Sequence, residues 1–214
     1  PYNVEEINYV SLVAKVPQVI TVGPSVPVNS LPELIALAKR DPGKLNYGSA
    51  GNVTTPHLGA ELFAQEAGIK MMHVPYKGAA PAITALLGGE VQVLAADLPA
   101  VKGFTTRGVK ILAVNSQRRS DAIPNVPTAT ELGLPNVVAD SNYGMIAPKG
   151  LPPAIMQKMR EAVFETLKTP SVVAALASQG SAPAPTTADE YRRLMQSESV
   201  RWGKLVKEAN ISTQ

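Results

Sequence analysis

The sequence predicts an α/β protein whose largely parallel sheet is covered by helices on both faces. Three observations predict it. From residue 9 onward, short β-branched runs alternate with segments of helical length and helical periodicity. The short runs are apolar throughout, as strands buried on both faces are, instead of alternating with polar residues. The 19 prolines and 16 glycines stand singly at segment ends, which suits many short elements joined by tight loops.

Residues 9–16 and 18–22 read as the first strands. Ser30, with Glu33 three residues on and Pro32 in the first turn, forms a capping box. The helix it opens carries Leu34, Ile35, Leu37 and Ala38 as its apolar stripe. Residues 45–49 read as a strand and 56–67 as a helix stopped by Gly68. Then come a strand at 71–74, a helix at 79–87 ended by Gly88 and Gly89, and a strand at 91–95. A shorter helix at 98–105 ends near Gly108 and is followed by a strand at 109–114. Strand–helix alternation at this spacing implies right-handed crossovers.

Residues 120–135 change character, with three prolines, a turn capped by Thr128 with Glu131, and a stop at Gly133. This stretch reads as a return linker between two lobes. One more strand is expected at 136–147. The helix at 152–168 is amphipathic, with Ile155, Met159, Ala162, Val163 and Leu167 on one face. Thr169 and Pro170 open a helix to residue 177, and Thr187 with Glu190 forms a second capping box ahead of a helix reaching about residue 208.

Composition narrows the function. The net charge of +3 is mild, and no Lys/Arg run with interleaved aromatics marks a nucleic-acid face. A slightly basic chain leans toward anionic ligands. The absence of Cys removes disulfides and thiolate metal sites. Only His57 and His73 are present, apart in sequence and without an HxxxH pair, so neither a metal nor another cofactor is expected. No apolar stretch approaches the roughly 20 residues of a membrane helix. No charged segment followed by an apolar one marks an export signal within this chain.

The most informative loop is 48–57 (GSAGNVTTPH), between a strand and a helix. Small residues let the backbone turn tightly and present successive N–H groups beside the partial positive charge of a helix N-terminus. Ser49, Thr54 and Thr55 add hydroxyls, so the loop can hold a carboxylate or phosphate without a charged side chain. The structural alternative is a plain connection in which Thr55 caps the helix. The GxxxxGK[ST] phosphate-loop spacing is absent. A second strand-to-helix loop carries Tyr76, Lys77 and Gly78: a wall, a counter-charge and a site of close approach, or simply a packed ring and a solvated amine. Asp97, at the end of a strand, either caps the next helix or faces a cleft. Tyr143 is read as packing on its strand. A Ser–His–Asp site would pair His57 with Ser49 and Asp97, but no GxSxG elbow is present, and His73 reads as a core histidine. The pattern argues against an enzyme.

Segments 45–57 (LNYGSAGNVTTPH), 73–81 (HVPYKGAAP) and 86–93 (LLGGEVQV) resemble the tripartite tricarboxylate transporter receptors, also called Bug-type proteins. Residues 10–14, 111–116, 125–135 and 202–209 agree in the same order. The resemblance implies a fold of the periplasmic binding protein type II kind, with parallel-sheet lobes flanked by helices that close on a ligand. It implies a periplasmic receptor for a di- or tricarboxylate, amino acid or aromatic acid, delivering to membrane subunits of a transporter or, alternatively, to a sensor. By position the ligand loop is Ser49, Ala50, Gly51, Asn52, Thr54 and Thr55, with His57 on the adjoining turn and Tyr76, Lys77, Gly78 and Asp97 along the wall. Asn52-Val53-Thr54 departs from the family's frequent Asn-Gly-Thr. Family members carry about a hundred further residues at the start, so the expected organisation is a complete second lobe at 9–135, the C-terminal half of a first lobe at 136–214, and an absent N-terminal half and signal peptide. One incomplete lobe would leave an unpaired sheet edge, through which a homodimer is expected.

Overall fold

In the computed structural model, residues 7–212 are described. The chain opens with β1 (Ile7–Val16), then β2 (Gln18–Val22) and α1 (Leu31–Arg40). Next come β3 (Asn46–Ser49), α2 (Thr55–Ala67), β4 (Met72–Pro75), α3 (Ala79–Gly88) and β5 (Val93–Asp97). A single turn, α4 (Leu98–Val101), runs into a 3-10 helix at Lys102–Arg107, and β6 (Lys110–Val114) follows. After an irregular stretch come β7 (Ser141–Pro148), α5 (Pro153–Lys168), α6 (Pro170–Ser178), β8 (Ala182–Pro183) and α7 (Ala188–Glu208).

Two sheets result. The larger has the order β4-β3-β5-β2-β6. Its β3 runs parallel to both β4 and β5, whereas β2 is antiparallel to β5 and β6. The sheet is therefore mixed and not wholly parallel: β4, β3, β5 and β6 share one direction and β2 opposes them. The reason is local. β2 does not return through a helix but continues from β1 across Pro17, so it enters the sheet from the opposite end. Both faces are covered, as the apolar strands foretold. Ile20, Val22, Val93 and Ala95 pack with Leu34, Tyr47 and Phe63 on one side. Val19, Leu94 and Ala96 pack with Ile83, Leu86 and Val101 on the other.

The smaller sheet, β7-β1-β8, is antiparallel throughout. β1 is its centre and β7 an edge carrying exposed Tyr143, Met145 and Ile146. Tyr191 of α7 packs edge-on to Tyr9 at 5.1 Å and lies over Gly144, where a Cβ would collide with its ring. On α5 only Val163 and Leu167 of the predicted stripe are buried, while Ile155 is exposed.

Other expectations shift in detail. The strand expected from residue 136 begins at Ser141, because residues 136–140 are held by single contacts such as Ala139 N–H to Asn115 O at 2.7 Å. The helix expected at 98–105 breaks after one turn into the 3-10 segment. Thr187 and Glu190 form the expected capping box, and Thr128 and Glu131 exchange the same pair of bonds. At Ser30 only half of the expected box forms: Ser30 Oγ accepts from Glu33 N–H, while the Glu33 carboxylate accepts from Asn29 N–H, one residue ahead of the cap.

Candidate functional site

A cavity of about 880 Å³ opens between the two sheets. One wall is the loop after β3 with the start of α2: Ala50, Val53, Thr54, Thr55 and Pro56. The floor is the end of β5, from Leu94 to Asp97, and the far wall comes from β1 and β7 through Ala14, Val16, Ser141 and Tyr143. The cavity thus lies beyond the carboxyl ends of parallel strands, where open α/β sheets take their ligands.

Local sequence explains the loop. Thr54, not Thr55, caps α2, accepting from His57 N–H while its hydroxyl donates to Gly51 O at 2.8 Å. That leaves the Thr55 hydroxyl on the cavity wall. Gly51 has φ +139, a conformation L side chains rarely adopt. Val53 is left-handed at φ +57, which for a β-branched residue costs roughly 1–2 kcal/mol. Its amide donates to His57 Nδ1 at 3.0 Å. The amide of Gly51 donates to Ser49 Oγ at 3.2 Å, and that of Thr54 to Gly51 O at 3.4 Å. Among the described residues, the amides of Ala50, Asn52 and Thr55 keep no acceptor. Half of the loop's amide donors are thus consumed in shaping it.

Beneath the loop lies a feature the sequence did not announce. His57 and His73 stack with ring centroids 3.7 Å apart at 13°. The two histidines, apart in sequence, meet because parallel pairing of β3 with β4 sets His73 beside Tyr47, under the first turn of α2. His73 Nε2 lies 2.7 Å from Ser49 Oγ. Tyr47 hydrogen-bonds Glu61, whose carboxylate is 3.9 Å from His57 Nε2. Burial holds both imidazoles below their ordinary values, His73 at about 4, with the neighbouring His57 as its second cause.

Asp97 ends β5 and stands at the N-cap of α4, but its side chain makes no capping bond. Its carboxylate accepts from Ser141 Oγ at 2.6 Å and from Tyr143 OH at 2.7 Å. It faces the cavity and, among the described residues, is the only charged side chain lining it. Tyr143 thus does more than pack on its strand.

Of the residues expected at the site, Ala50, Thr54, Thr55 and Asp97 line the cavity. Ser49 and His57 are buried behind it, Gly51 shapes the loop, and Asn52 is exposed at its tip. Gly78 N–H braces Ala50 O at 3.1 Å, Tyr76 packs into the core beside Gly48, and Lys77 is exposed; these three stand apart from the cavity wall. Ser49 and His73 resemble a nucleophile–base pair, but Ser49 is fully buried and no carboxylate orients His73. Among the described residues no cluster of three or more His, Asp or Glu is placed to hold a metal. No described helix is long and apolar enough to cross a membrane.

A cleft between two helix-flanked sheets is the architecture of the periplasmic binding-protein fold. The chain belongs to the tripartite tricarboxylate transporter family receptors, which it matches over residues 1–211. It is 37% identical to BugT of Bordetella pertussis over 97% of its own length and 64% of that protein's. It is 35% identical to a protein of Cupriavidus necator over 95% of its length and 62% of that protein's. It therefore spans a little under two thirds of these curated relatives. An R. palustris protein solved with adipate superposes with a TM-score of 0.93 at 32% identity, covering 99% of this chain and 71% of that one. MatC of Rhodopseudomonas palustris, with bound malate, gives 0.84 at 26% identity over 94% of this chain and 69% of that one. Receptors of this family bind solutes and are not enzymes.

Proposed function

We propose that the protein captures a small organic acid, anchoring one carboxylate on the amides of Ala50, Asn52 and Thr55 and on the Thr55 hydroxyl. The single observation that supports this is the set of amides left without an acceptor on the loop that walls the cavity, at the positive end of α2. The remaining walls, including Val13, Ala82, Leu94, Pro99 and Leu176, are apolar and suit an aliphatic or aromatic body. Asp97 repels a second carboxylate from its end of the cavity, so the anionic end belongs at the loop. The adipate and malate held by similar proteins belong to this class of acid. The lobe carrying the loop, expected at 9–135, is better begun after Pro17, since β1 pairs with β7 and β8 in the smaller sheet. That sheet with residues 136–212 makes part of the opposing lobe. The receptor acts in the periplasm and hands its ligand to the membrane subunits of a tripartite transporter.

The test is titration of the isotopically labelled chain with adipate, malate, glutamate and citrate, followed by amide NMR. Shifts concentrated at Ala50, Asn52 and Thr55 are expected for at least one acid. Shifts absent for all four, or confined to other surfaces, would overturn the assignment.

A further inference from the structure

The stacked histidines are not on the cavity wall, yet they hold the loop that is. Val53 occupies a left-handed conformation that its branched Cβ disfavours. Its amide donates to His57 Nδ1 at 3.0 Å. Because that nitrogen accepts, it carries a lone pair, and the ring's proton sits on Nε2, toward Glu61. His73 supports the other end of the loop through Ser49 Oγ, which in turn receives the Gly51 amide.

We propose that His57 and His73 are positioning residues of the ligand loop. The bare Nδ1 of His57 keeps Val53 left-handed, and protonation of that nitrogen releases the loop.

The two rings respond differently to acid. A proton on His57 Nδ1 would set a donor against the Val53 N–H, and no rotation of the buried ring removes the clash. A proton on His73 Nε2 is accommodated: the Ser49 hydroxyl accepts it and turns its own hydrogen to Gly51 O, 3.1 Å away. The titratable groups facing the pair are few. Tyr47 of β3 stacks on His73 at 4.8 Å, Glu61 lies one turn along α2, and each histidine faces the other. Two charges cannot share a stack this close, so the pair takes one proton at a time. Tyr47 donates to Glu61, which moderates the one carboxylate able to stabilise a charged His57. Burial favours the neutral rings.

The structural arm needs no ligand and so stands apart from the carboxylate reading, on which only the affinity arm rests. Amide and imidazole NMR spectra are recorded from about pH 7.5 to about pH 4.5. The expected result is a His57 ring protonated on Nε2 at the upper end, with the Val53 amide shifting and losing exchange protection at the midpoint of the His57 titration. His57→Asn places an amide oxygen near the Nδ1 position and cannot titrate, so Val53 stays protected and its pH step disappears. Adding Val53→Gly to His57→Leu restores the Ala50 and Thr55 amide positions, since glycine adopts this φ without a clamp. With adipate as probe, the wild-type affinity relative to that of His57→Asn falls roughly tenfold across the range, a ratio that cancels titration of adipate itself. A Val53 amide that keeps its shift and exchange rate while His57 titrates, or a His57 ring protonated on Nδ1 at neutral pH, would overturn the proposal. If His57→Leu fails to fold, the wild-type titration alone decides.

Discussion

Asp97 and Tyr143 meet at 2.7 Å across the place where the chain leaves one sheet for the other. The strand registers make this clear: Asp97 pairs with Gln18 and Ser141 with Val16, on either side of Pro17. The carboxylate therefore ties the two sheets together at their crossing as well as lining the cavity. Tyr143→Phe removes one of its donors while leaving Ser141 in place, and should cost about 1 kcal/mol, since the phenol is half exposed. Urea unfolding should show a lower midpoint at unchanged slope. The Tyr143 phenol is pushed up to about 12 by burial first and by Asp97 second, so in an alkaline spectrophotometric titration it should ionise late. Asp97→Asn should bring it forward.

Thr54 and Thr55 separate stability from binding. The Thr54 side chain caps α2 and ties down Gly51, so Thr54→Ala should cost about 1 kcal/mol of stability. The Thr55 hydroxyl has no bond within the described chain, and Thr55→Ala should leave the melting temperature within a degree or so while weakening any acid that shifts the loop amides. Thermal melts and the amide titration, run on both variants, check the pair.

A side chain at Gly51 should be incompatible with the loop. Its φ of +139 is strained for any L residue, and a Cβ would approach Tyr76 O at 3.5 Å and Thr54 Cγ2 at 3.6 Å. The space is tolerable and the backbone conformation is not. Gly51→Val should lower stability by roughly 1–3 kcal/mol and abolish acid-induced shifts at Ala50 and Thr55.

The histidine pair also makes folding pH-dependent. Both imidazoles titrate lower in the folded chain than their ordinary 6.5, His73 at about 4. Between those values the unfolded chain binds protons that the folded one refuses, so stability is full above about pH 6.5 and declines as pH falls toward about 4. His73 is partly accessible, which discounts the effect to the order of 2 kcal/mol. Urea midpoints at neutral and acidic pH should differ by that amount in the wild type and by less in His73→Gln. Equal slopes of stability against pH would remove the cause assigned to the pair.

Much of the fold was legible because its signals are local. The caps at Ser30, Thr128 and Thr187 and the stop at Gly68 formed where the residue types placed them. The apolar character of β2 and β5 reported burial on both faces. The direction of β2 was not legible, because a strand reads the same either way and only the uninterrupted passage from β1 through Pro17 fixes it. The loop from Ser49 to Thr55 was found as a segment, but its division of labour was not. Which of two adjacent threonines caps a helix depends on a single turn of backbone. Nor could spacing show His73 under His57, since that contact arises from strand pairing. The sequence leaves Asp97 between helix cap and cleft wall, because the partners that decide it lie more than forty positions further along the chain.

Pro17 joins the central strand of the small sheet to an interior strand of the large one with no intervening loop. It has no amide to donate, and its carbonyl receives Leu98 N–H at 2.9 Å. Beside it, the side-chain amides of Gln18 and Asn115 are buried with no partner among the described residues. A rotation of one sheet against the other must therefore be taken up in very few torsions, at Val16–Gln18 and in the returning segment before Ser141. Such a joint concentrates any swing of one sheet against the other beside Val16, Asp97 and Ser141, three residues of the cavity wall, so the width of the cavity and the angle between the sheets are set at the same place.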